Sequence, residues 1–225
     1  MFLWQQSRLY RERKQTSNAR VLTTITSLAL FICQCRAEGD GWRLFREEDA
    51  AGGRLRAETK ESDQRDGVAF VRVHAKDIDV PVSTLTSTFL SPSLAHAWNP
   101  YMGSVRHLGA NVQLQSYSLP WPFATREYLV HCTDEALRGG GHRSQCTPVA
   151  SHPEAPMHSE RVRGTSEALW KISPSTSDLS RRSDIFFEGS VDPGGALPKW
   201  LVNEIGKQAS VNIVASLLKL AERRK

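Results

Sequence analysis

Cysteine is the residue type whose spacing first suggests chemistry in this sequence. Cys132 and Cys146 are equally distant from Gly139, the first residue of a three-glycine turn. A symmetric hairpin around that turn would place the two thiols opposite each other, where an oxidising compartment would allow a disulfide. Two buried thiols in a reducing compartment fit the same spacing. The remaining cysteines, Cys33 and Cys35, belong to the N-terminal segment, and no C-x-x-C pair occurs.

The seven histidines are dispersed along the sequence and form no metal-binding pattern. His142, His152 and His158 cluster loosely near two loops, at spacings that match no metal motif. Nucleophile-elbow, zinc-protease and phosphate-loop motifs are absent from the sequence. An enzyme would require an acid–base pair in a cavity, such as His74 or His131 beside a carboxylate. The sequence therefore predicts no metal and no cofactor.

Charge is distributed unevenly along the 225 residues. Residues 1–37 contain six Lys/Arg and one acidic residue, whereas the remainder contains equal numbers of basic and acidic groups. The high isoelectric point therefore belongs to the N-terminal segment, and the rest of the chain offers no net positive field to nucleic acid. The length suits one domain with a proper core, residues 41–225, preceded by a leader, residues 1–40.

The leader resembles a targeting segment. Basic residues precede an apolar run at 21–33, which as a helix spans roughly 20 Å and falls short of the roughly 30 Å hydrocarbon core of a bilayer. A signal peptide cleaved after Ala37 fits this pattern. The alternative is a disordered leader without an export role. The protein enters the secretory pathway in the first case, and is cytoplasmic or membrane-associated in the second.

Strand-like and turn-like segments alternate from Gly41 onward. Leu85 and Phe89, four residues apart, predict a short helix at 81–90. Strand-like segments are predicted at 42–45, 55–58, 68–74, 112–119, 127–132, 143–149, 161–172 and 184–191. The turn residues Asp192 to Gly195 are followed by Pro198, which suits a first helical turn. A long amphipathic helix continues to Glu222. Because helix and sheet are segregated in this order, the sequence predicts an α+β fold.

Three short segments together resemble landmarks of the START (steroidogenic acute regulatory protein-related lipid transfer) domain family. They are Trp98-Asn99-Pro100, PWPFATREYLV at 120–130 with its Arg126, and VDPGGALPKWLVN at 191–203. The segments follow the order and approximate spacing of that family, and the resemblance covers roughly residues 41–225. One departure is Glu127, where the family more often has aspartate.

The resemblance implies a helix-grip fold, in which a curved antiparallel sheet wraps an internal tunnel and a long C-terminal helix closes it. Such a tunnel holds one lipid, such as a sterol, a phospholipid or a sphingolipid. The closing helix and the loop at 148–160 are expected to act as the gate. The expected partners are the lipid ligand and, transiently, a membrane, with the protein acting as a monomer.

Arg126 is the first candidate for a ligand contact, because an arginine in an apolar tunnel needs a polar partner. That partner is either a lipid headgroup or an acidic residue of the chain, and we favour the structural salt bridge. The acidic candidates are Glu127, Glu160 and Asp184.

Aromatic side chains are expected either to cage a quaternary ammonium headgroup by cation–π attraction or to serve as core residues. The candidates are Tyr117, Tyr128 and Trp170. Phe186 or Phe187, whichever points inward, is expected to line the tunnel, and we select Phe186. On the closing helix, the small residues Gly206, Ala209 and Ser210 either leave space beneath the helix or permit it to pack tightly on the sheet. The helix residues expected to face the lipid are Val202, Ile205 and Ala209.

The sequence therefore predicts a protein that binds a single lipid in an internal tunnel and transfers or senses it between membranes. A scaffold that senses the lipid and reports it to a partner is a variant of this function. The alternative is a helix-grip enzyme, cyclase-like or hydrolase-like, that acts on a hydrophobic substrate in the same cavity.

Overall fold

The computed structural model of the protein describes residues 41–62, 66–118, 124–158 and 160–225. The strands in these ranges are β1 (Arg43–Ala50), β2 (Gly53–Lys60), β3 (Phe70–Ile78), β4 (Met102–His107), β5 (Val112–Tyr117), β6 (Arg126–Ala136), β7 (His142–Pro148), β8 (Val162–Pro174) and β9 (Ser183–Asp192). The α-helices are α1 (Val82–Phe89), α2 (Ala95–Trp98) and α3 (Lys199–Glu222). Short 3-10 turns occur at Pro92–Leu94 and Arg138–Gly140.

All nine strands belong to one curved sheet with the order β1-β2-β3-β9-β8-β7-β6-β5-β4. Neighbouring strands in this order are antiparallel. The start of β6 also pairs in parallel with the start of β8, because β7 ends at Pro148 and leaves these segments side by side. Together with a long C-terminal helix, this sheet confirms the predicted α+β helix-grip fold.

Glycines with positive φ close two of the hairpins. Gly52 has a φ of +73° between β1 and β2, and Gly139 has a φ of +74° between β6 and β7. Side chains with a Cβ adopt this backbone region only at a cost, so both turns favour glycine. The turn at Gly139 sets the register that pairs Cys132 with Cys146 across β6 and β7, as the symmetric spacing predicts.

The main core lies between the sheet and the C-terminal half of α3. This helix packs on β3 and β9 and against α1 and α2. All of its buried residues except Val202 lie in the last three turns, and these are Val211, Val214, Leu217, Leu218 and Ala221. They meet strand residues such as Leu55, Val73, Ile78 and Ile185 in one cluster. Burial of each large apolar side chain contributes about 2 kcal/mol, so this half of the helix is firmly held.

The predicted strands are found with longer bounds in most cases, but the sequence analysis missed β4. That strand reads MGSVRH and has five exposed residues of six, so it carries no apolar alternation. The helices of the described ranges include none with both the length and the apolarity needed to span a bilayer. The leader at 1–40 and residues 119–123, which hold the PWPF part of the second landmark, lie outside the described residues.

Candidate functional site

The concave face of the sheet can be followed from strand to strand, because residues paired across a sheet share one face. From β6 to β3 one such row is Cys132, Cys146, Ala168, Gly189 and Val71. Val71 belongs to the core beneath α3, so the whole row faces inward. Since side chains alternate along a strand, Arg126, Tyr128 and Val130 share this face with Cys132.

The concave face carries two separate apolar clusters. The larger cluster lies beneath the C-terminal half of α3 and includes Trp170 and Phe187. The smaller cluster consists of Tyr128, Val130 and Cys132, with Tyr117 and Cys146 packed against them. The two clusters face the same interior but are separate from each other. The region between them is the candidate site for an apolar ligand.

The N-terminal half of α3 is held differently from its C-terminal half. Val202 is buried but belongs to neither cluster on the concave face. A Cβ added at Gly206 would meet no atom within 4 Å, so this glycine adjoins open space and is not required for tight packing. Ala209 is half-buried. The N-terminal half of the helix is therefore loosely packed.

The inward orientation predicted for Ile205 is wrong. Ile205 is 46% exposed, whereas Val214 is fully buried on the core side. Nine residues separate the two positions, which at about 3.6 residues per turn places them on opposite sides of the helix. The apolar periodicity of the sequence could not distinguish the two sides, because both carry apolar residues.

Arg126 lies on the concave face and is 5% exposed. Its Nη1 donates a hydrogen bond to the carbonyl oxygen of Ala124 at 2.7 Å, and its buried Nε has no partner among the described residues. The predicted salt bridge is wrong for the described residues. Glu127 pairs with other arginines, Asp184 accepts a hydrogen bond from the backbone N–H of Asp77, and Glu160 is exposed.

Glu127 points to the outer face and is 2% exposed. Arg161 donates to its Oε1, and Arg163 donates to its Oε2 at 3.3 Å. Burial by itself raises the pKa of this carboxyl, but the hydrogen bonds from the two arginines outweigh it and hold the pKa below its ordinary value. Glu127 is therefore a paired structural charge.

The loop predicted as a gate, at 148–160, is fastened to the outer face of the sheet, apart from Ser159, which the structure does not describe. Ala155 is 3% exposed and packs against Leu114 and Leu129. Arg163 donates to the carbonyl oxygen of Ala155 at 3.3 Å, so the arginine that neutralises Glu127 also holds the loop. A gating role for the loop stays a prediction.

The three aromatic residues proposed as a cation cage belong to two different groups of rings. The rings of Tyr117 and Tyr128 contact each other at 5.3 Å between centroids. Trp170 instead contacts Phe89, Trp98 and Phe187 in the larger cluster, with a centroid distance of 4.6 Å to Phe187. Burial raises the pKa of both tyrosine hydroxyls, so both stay protonated at neutral pH.

The choice of Phe186 as the inward phenylalanine is wrong. Phe187 is 8% exposed and belongs to the core cluster that contains Trp170. Phe186 lies on the outer face, where its ring contacts that of His74 at 4.8 Å between centroids. The two positions differ by one residue, and a shift of one residue reverses the face of a strand.

Cys132 and Cys146 form a disulfide with a Cα–Cα distance of 4.1 Å. The bond crosslinks β6 and β7 on the concave face, so the thiol alternative does not apply to this structure. Further along the same hairpin, His142 Nε2 and Asp134 Oδ1 lie 2.9 Å apart. No group of histidine, cysteine or acidic residues in the described ranges has the arrangement of a metal site.

Sequence reasoning missed two features of this region. One is the ion-pair group of Glu127, Arg161 and Arg163. The two arginines lie 34 and 36 residues after Glu127 and meet it through the parallel contact of β6 and β8. The other is Asn99, which is 5% exposed and donates from Nδ2 to the hydroxyl of Tyr117 at 3.5 Å. Adjacent side chains of a strand point to opposite faces, so the sequence could have predicted that Arg126 and Glu127 lie on different faces of the sheet.

Comparisons with known proteins support the fold. No protein-family model matches the sequence. The uncharacterized protein PA1579 of Pseudomonas aeruginosa is 23% identical over 216 residues, which cover 89% of this chain and 96% of that protein.

Two human structures have the same fold. STARD10 superposes with a TM-score of 0.68 at 22% identity, over 86% of this chain and 77% of its own. StAR-related lipid transfer protein 5 superposes with a TM-score of 0.69 at 16% identity, over 92% of this chain and 98% of its own. The chain therefore has the START-domain fold, which confirms the predicted resemblance in architecture.

Proposed function

We propose that this protein is a START-like carrier that binds one lipid in its concave interior and transfers it between membranes or senses it. The observation that carries this proposal is the pair of separate apolar clusters on one concave face. A lipid tail between them would contact apolar side chains on both sides. The shared fold with StAR-related lipid transfer protein 5 supports the same function.

Exposed apolar residues support a transient membrane contact. Trp200, in the first turn of α3, is 72% exposed, and Met157, in the loop between β7 and β8, is 76% exposed. Tryptophan is favoured at the boundary between lipid and water, because its ring is apolar and its N–H is polar. We therefore propose that these residues touch the membrane while the lipid is exchanged. We also propose that the protein acts as a monomer.

The test is to purify the full chain from a lipid-containing host and to measure its mass under native conditions. We expect about one lipid per chain, and transfer of that lipid between donor and acceptor vesicles without chemical change. Gly206→Trp should lower lipid occupancy, because its side chain fills the open space beside α3. The matched control Gly206→Ala meets no atom within 4 Å and should leave occupancy unchanged. A persistently empty protein would contradict lipid binding.

One observation favours an enzyme as a second candidate. His142 is 7% exposed and lies with Asp134 on the concave side of the β6–β7 hairpin, which is the kind of acid–base pair that an enzyme would need. The same experiment separates the two functions. An unchanged lipid mass after prolonged incubation supports the carrier, whereas hydrolysis or rearrangement of the lipid that His142→Asn abolishes would support the enzyme.

A further inference from the structure

A groove crosses the outer face of the sheet over β3, β9, β8 and β7, on the side away from the concave interior. Its volume is about 410 Å³, which is within the range of small-molecule sites. A row of directly paired residues runs across it from β3 to β7 and consists of His74, Phe186, Lys171 and Arg143. Because residues paired across a sheet share one face, these four side chains lie together on the outer face with Phe186.

The floor of this groove is apolar. Phe186 on β9 and Leu169 on β8 are both half-buried. The ring of His74 contacts that of Phe186 edge-on at 4.8 Å between centroids. Burial lowers the pKa of His74, and the nearby positive charges of Arg72 and Lys76 lower it further, so the imidazole is neutral at pH 7. The histidine therefore extends the uncharged floor.

The rim of the groove is positively charged. Its cations are Lys76, Lys171 and Arg143, and all three are exposed. The two lysines have no salt bridge with any residue that the structure describes, and Arg143 reaches Glu135 only at 3.9 Å. The carboxylate of Asp184 also lines the groove and accepts a hydrogen bond from a backbone N–H at 2.8 Å. Three cations and one carboxylate leave an excess of two positive charges at the groove.

This arrangement differs from that of the groove beside it on the same face. Lys171 and Arg143 lie directly opposite each other on β8 and β7, where like charges repel. In the neighbouring groove, the carboxylate of Glu58 pairs with Arg56 at 2.8 Å and with Arg72 at 2.7 Å. The same face thus neutralises its arginines in one groove and leaves the cations of the next without an anion, as a binding site does.

We propose that this groove binds a mononucleotide, a small molecule with a flat ring and a phosphate. The ring lies over Phe186 and His74, because bases stack on aromatic side chains. The phosphate is held at the rim by charge-assisted hydrogen bonds from Lys76, Lys171 and Arg143. A phosphate monoester carries about −1.5 to −2 charges at pH 7, which matches the excess at the groove better than a single carboxylate does.

The volume and the recessed floor favour a small molecule over a membrane. An anionic bilayer would meet the charged rim of the groove and leave the ring of Phe186 uncovered, whereas a nucleotide covers both. Because the groove opens on the outer face, this inference does not depend on the proposed lipid binding in the concave interior.

The test uses ligands that separate the ring from the phosphate. The full chain is titrated by calorimetry with AMP, with adenosine and with ribose phosphate. We expect AMP to bind at least about tenfold more tightly than either of the other two, because stacking of one base and pairing of one phosphate each contribute a factor of this size.

Substitutions assign the two parts of the ligand to the groove. The double variant Lys171→Met, Arg143→Met should weaken AMP binding at least about tenfold and leave adenosine binding within about twofold. Phe186→Leu keeps an apolar side chain without a ring, so it should weaken AMP and adenosine at least about fivefold and leave ribose phosphate unchanged. The matched control is Lys219→Met, Arg223→Met, which removes two exposed cations near the end of α3 and should change none of these affinities. A melting temperature establishes that each variant is folded.

The possible contradictions are distinct. Equal binding of AMP and adenosine would overturn the phosphate site, and equal binding of AMP and ribose phosphate would overturn the stacking site. AMP binding that survives in both groove variants would show that the nucleotide binds elsewhere and contradict the inference. Absence of AMP binding, with binding of vesicles of phosphatidylserine and phosphatidylcholine that depends on Lys171 and Arg143, would show a membrane surface and overturn it. Lipid occupancy under native mass measurement should be unchanged in the groove variants, so each of these results leaves the proposed function standing.

Discussion

Two neighbouring residues of one strand, Arg126 and Glu127, meet opposite environments on the two faces of the sheet. Both are almost fully buried, at 5% and 2% exposed. On the outer face, Glu127 accepts hydrogen bonds from two arginines that also hold the loop after β7. On the concave face, Arg126 bonds to a backbone carbonyl and has no carboxylate partner in the described ranges.

The difference indicates what each face contributes. Buried charges that contribute to a fold are paired within the chain, as Glu127 is, because a buried charge without a partner is strongly destabilising. A buried charge that the chain does not pair costs stability, and proteins tolerate such costs at binding sites. The outer face of β6 is therefore structural, and the concave face is the side where a ligand is expected.

The largest expected effect is loss of the outer carboxylate. Glu127→Gln should lower the free energy of unfolding by about 3 kcal/mol, because Arg163 is then left largely buried without an anion. For a domain of this size, the melting temperature should fall by about 6–12 °C. Chemical denaturation at pH 7 measures the change. A loss below about 1 kcal/mol would contradict the structural role of this face.

The same carboxylate should make stability depend on pH. Because its pKa is lowered in the folded protein, its stabilisation is complete above the ordinary glutamate pKa of about 4.3 and is lost as the pH falls through the folded value. The difference in stability between the native protein and Glu127→Gln should therefore be constant between about pH 6 and 8 and shrink in acid. A difference that persists unchanged in acid would show that the effect is not ionic.

The concave face has a covalent restraint where the outer face has ion pairs. The disulfide of Cys132 and Cys146 closes a short loop with a sequence separation of 14. Its reduction should lower the free energy of unfolding by about 2–3 kcal/mol, because the unfolded chain gains conformational entropy when the crosslink is lost. Because a loss of chain entropy does not depend on pH, this effect should persist in acid, unlike that of Glu127→Gln. The Cys132→Ala, Cys146→Ala double variant, which should be insensitive to reductant, is the control.

Removal of the unpaired cation should have a smaller effect of opposite sign. Arg126→Met replaces a buried charge by an apolar side chain, so we expect stability in the absence of ligand to stay the same or to rise by about 1 kcal/mol. Chemical denaturation of delipidated protein measures this change. A loss of more than about 2 kcal/mol would show that Arg126 is a structural residue and would remove the contrast with Glu127.

The smallest effect should come from the more exposed partner of Glu127. The side chain of Arg161 is 52% exposed and that of Arg163 is 12% exposed. Arg161→Ala should therefore cost about 0.5–1 kcal/mol, and Arg163→Ala should cost more, since it also holds the loop through Ala155. Equal costs would mean that the loop contact contributes nothing measurable.

The sequence predicted those parts of the fold that local chemistry determines. The glycine turn at Gly139 and the spacing of the cysteines indicated the hairpin and its register, and the apolar periodicity after Pro198 indicated the long helix. It failed where the answer depends on which side of an element faces inward. Phe186 and Phe187 are adjacent and chemically identical, and both sides of α3 near Ile205 carry apolar residues.

Long-range pairing was the other part that could not be predicted. The partners of Glu127 lie more than thirty residues further along the chain, as the separations of 34 and 36 show, and reach it because β6 and β8 run side by side. Nothing local to Glu127 distinguishes it from a solvated glutamate. The hydrogen bond of Asn99 was likewise hidden, since it depends on where the residue that follows α2 lies relative to β5.

The uneven anchoring of α3 determines how a bound molecule could leave. Polar contacts hold the first turns, among them Lys199 with Asp192 and Asn203 with the backbone of Gly67 and Ala69, and water can replace these at small cost. The last three turns are fixed by apolar burial. Release then requires only the first twelve or so residues to swing outward, a portal about 18 Å long. Exchange rates should therefore follow fraying of this helix end and not global unfolding.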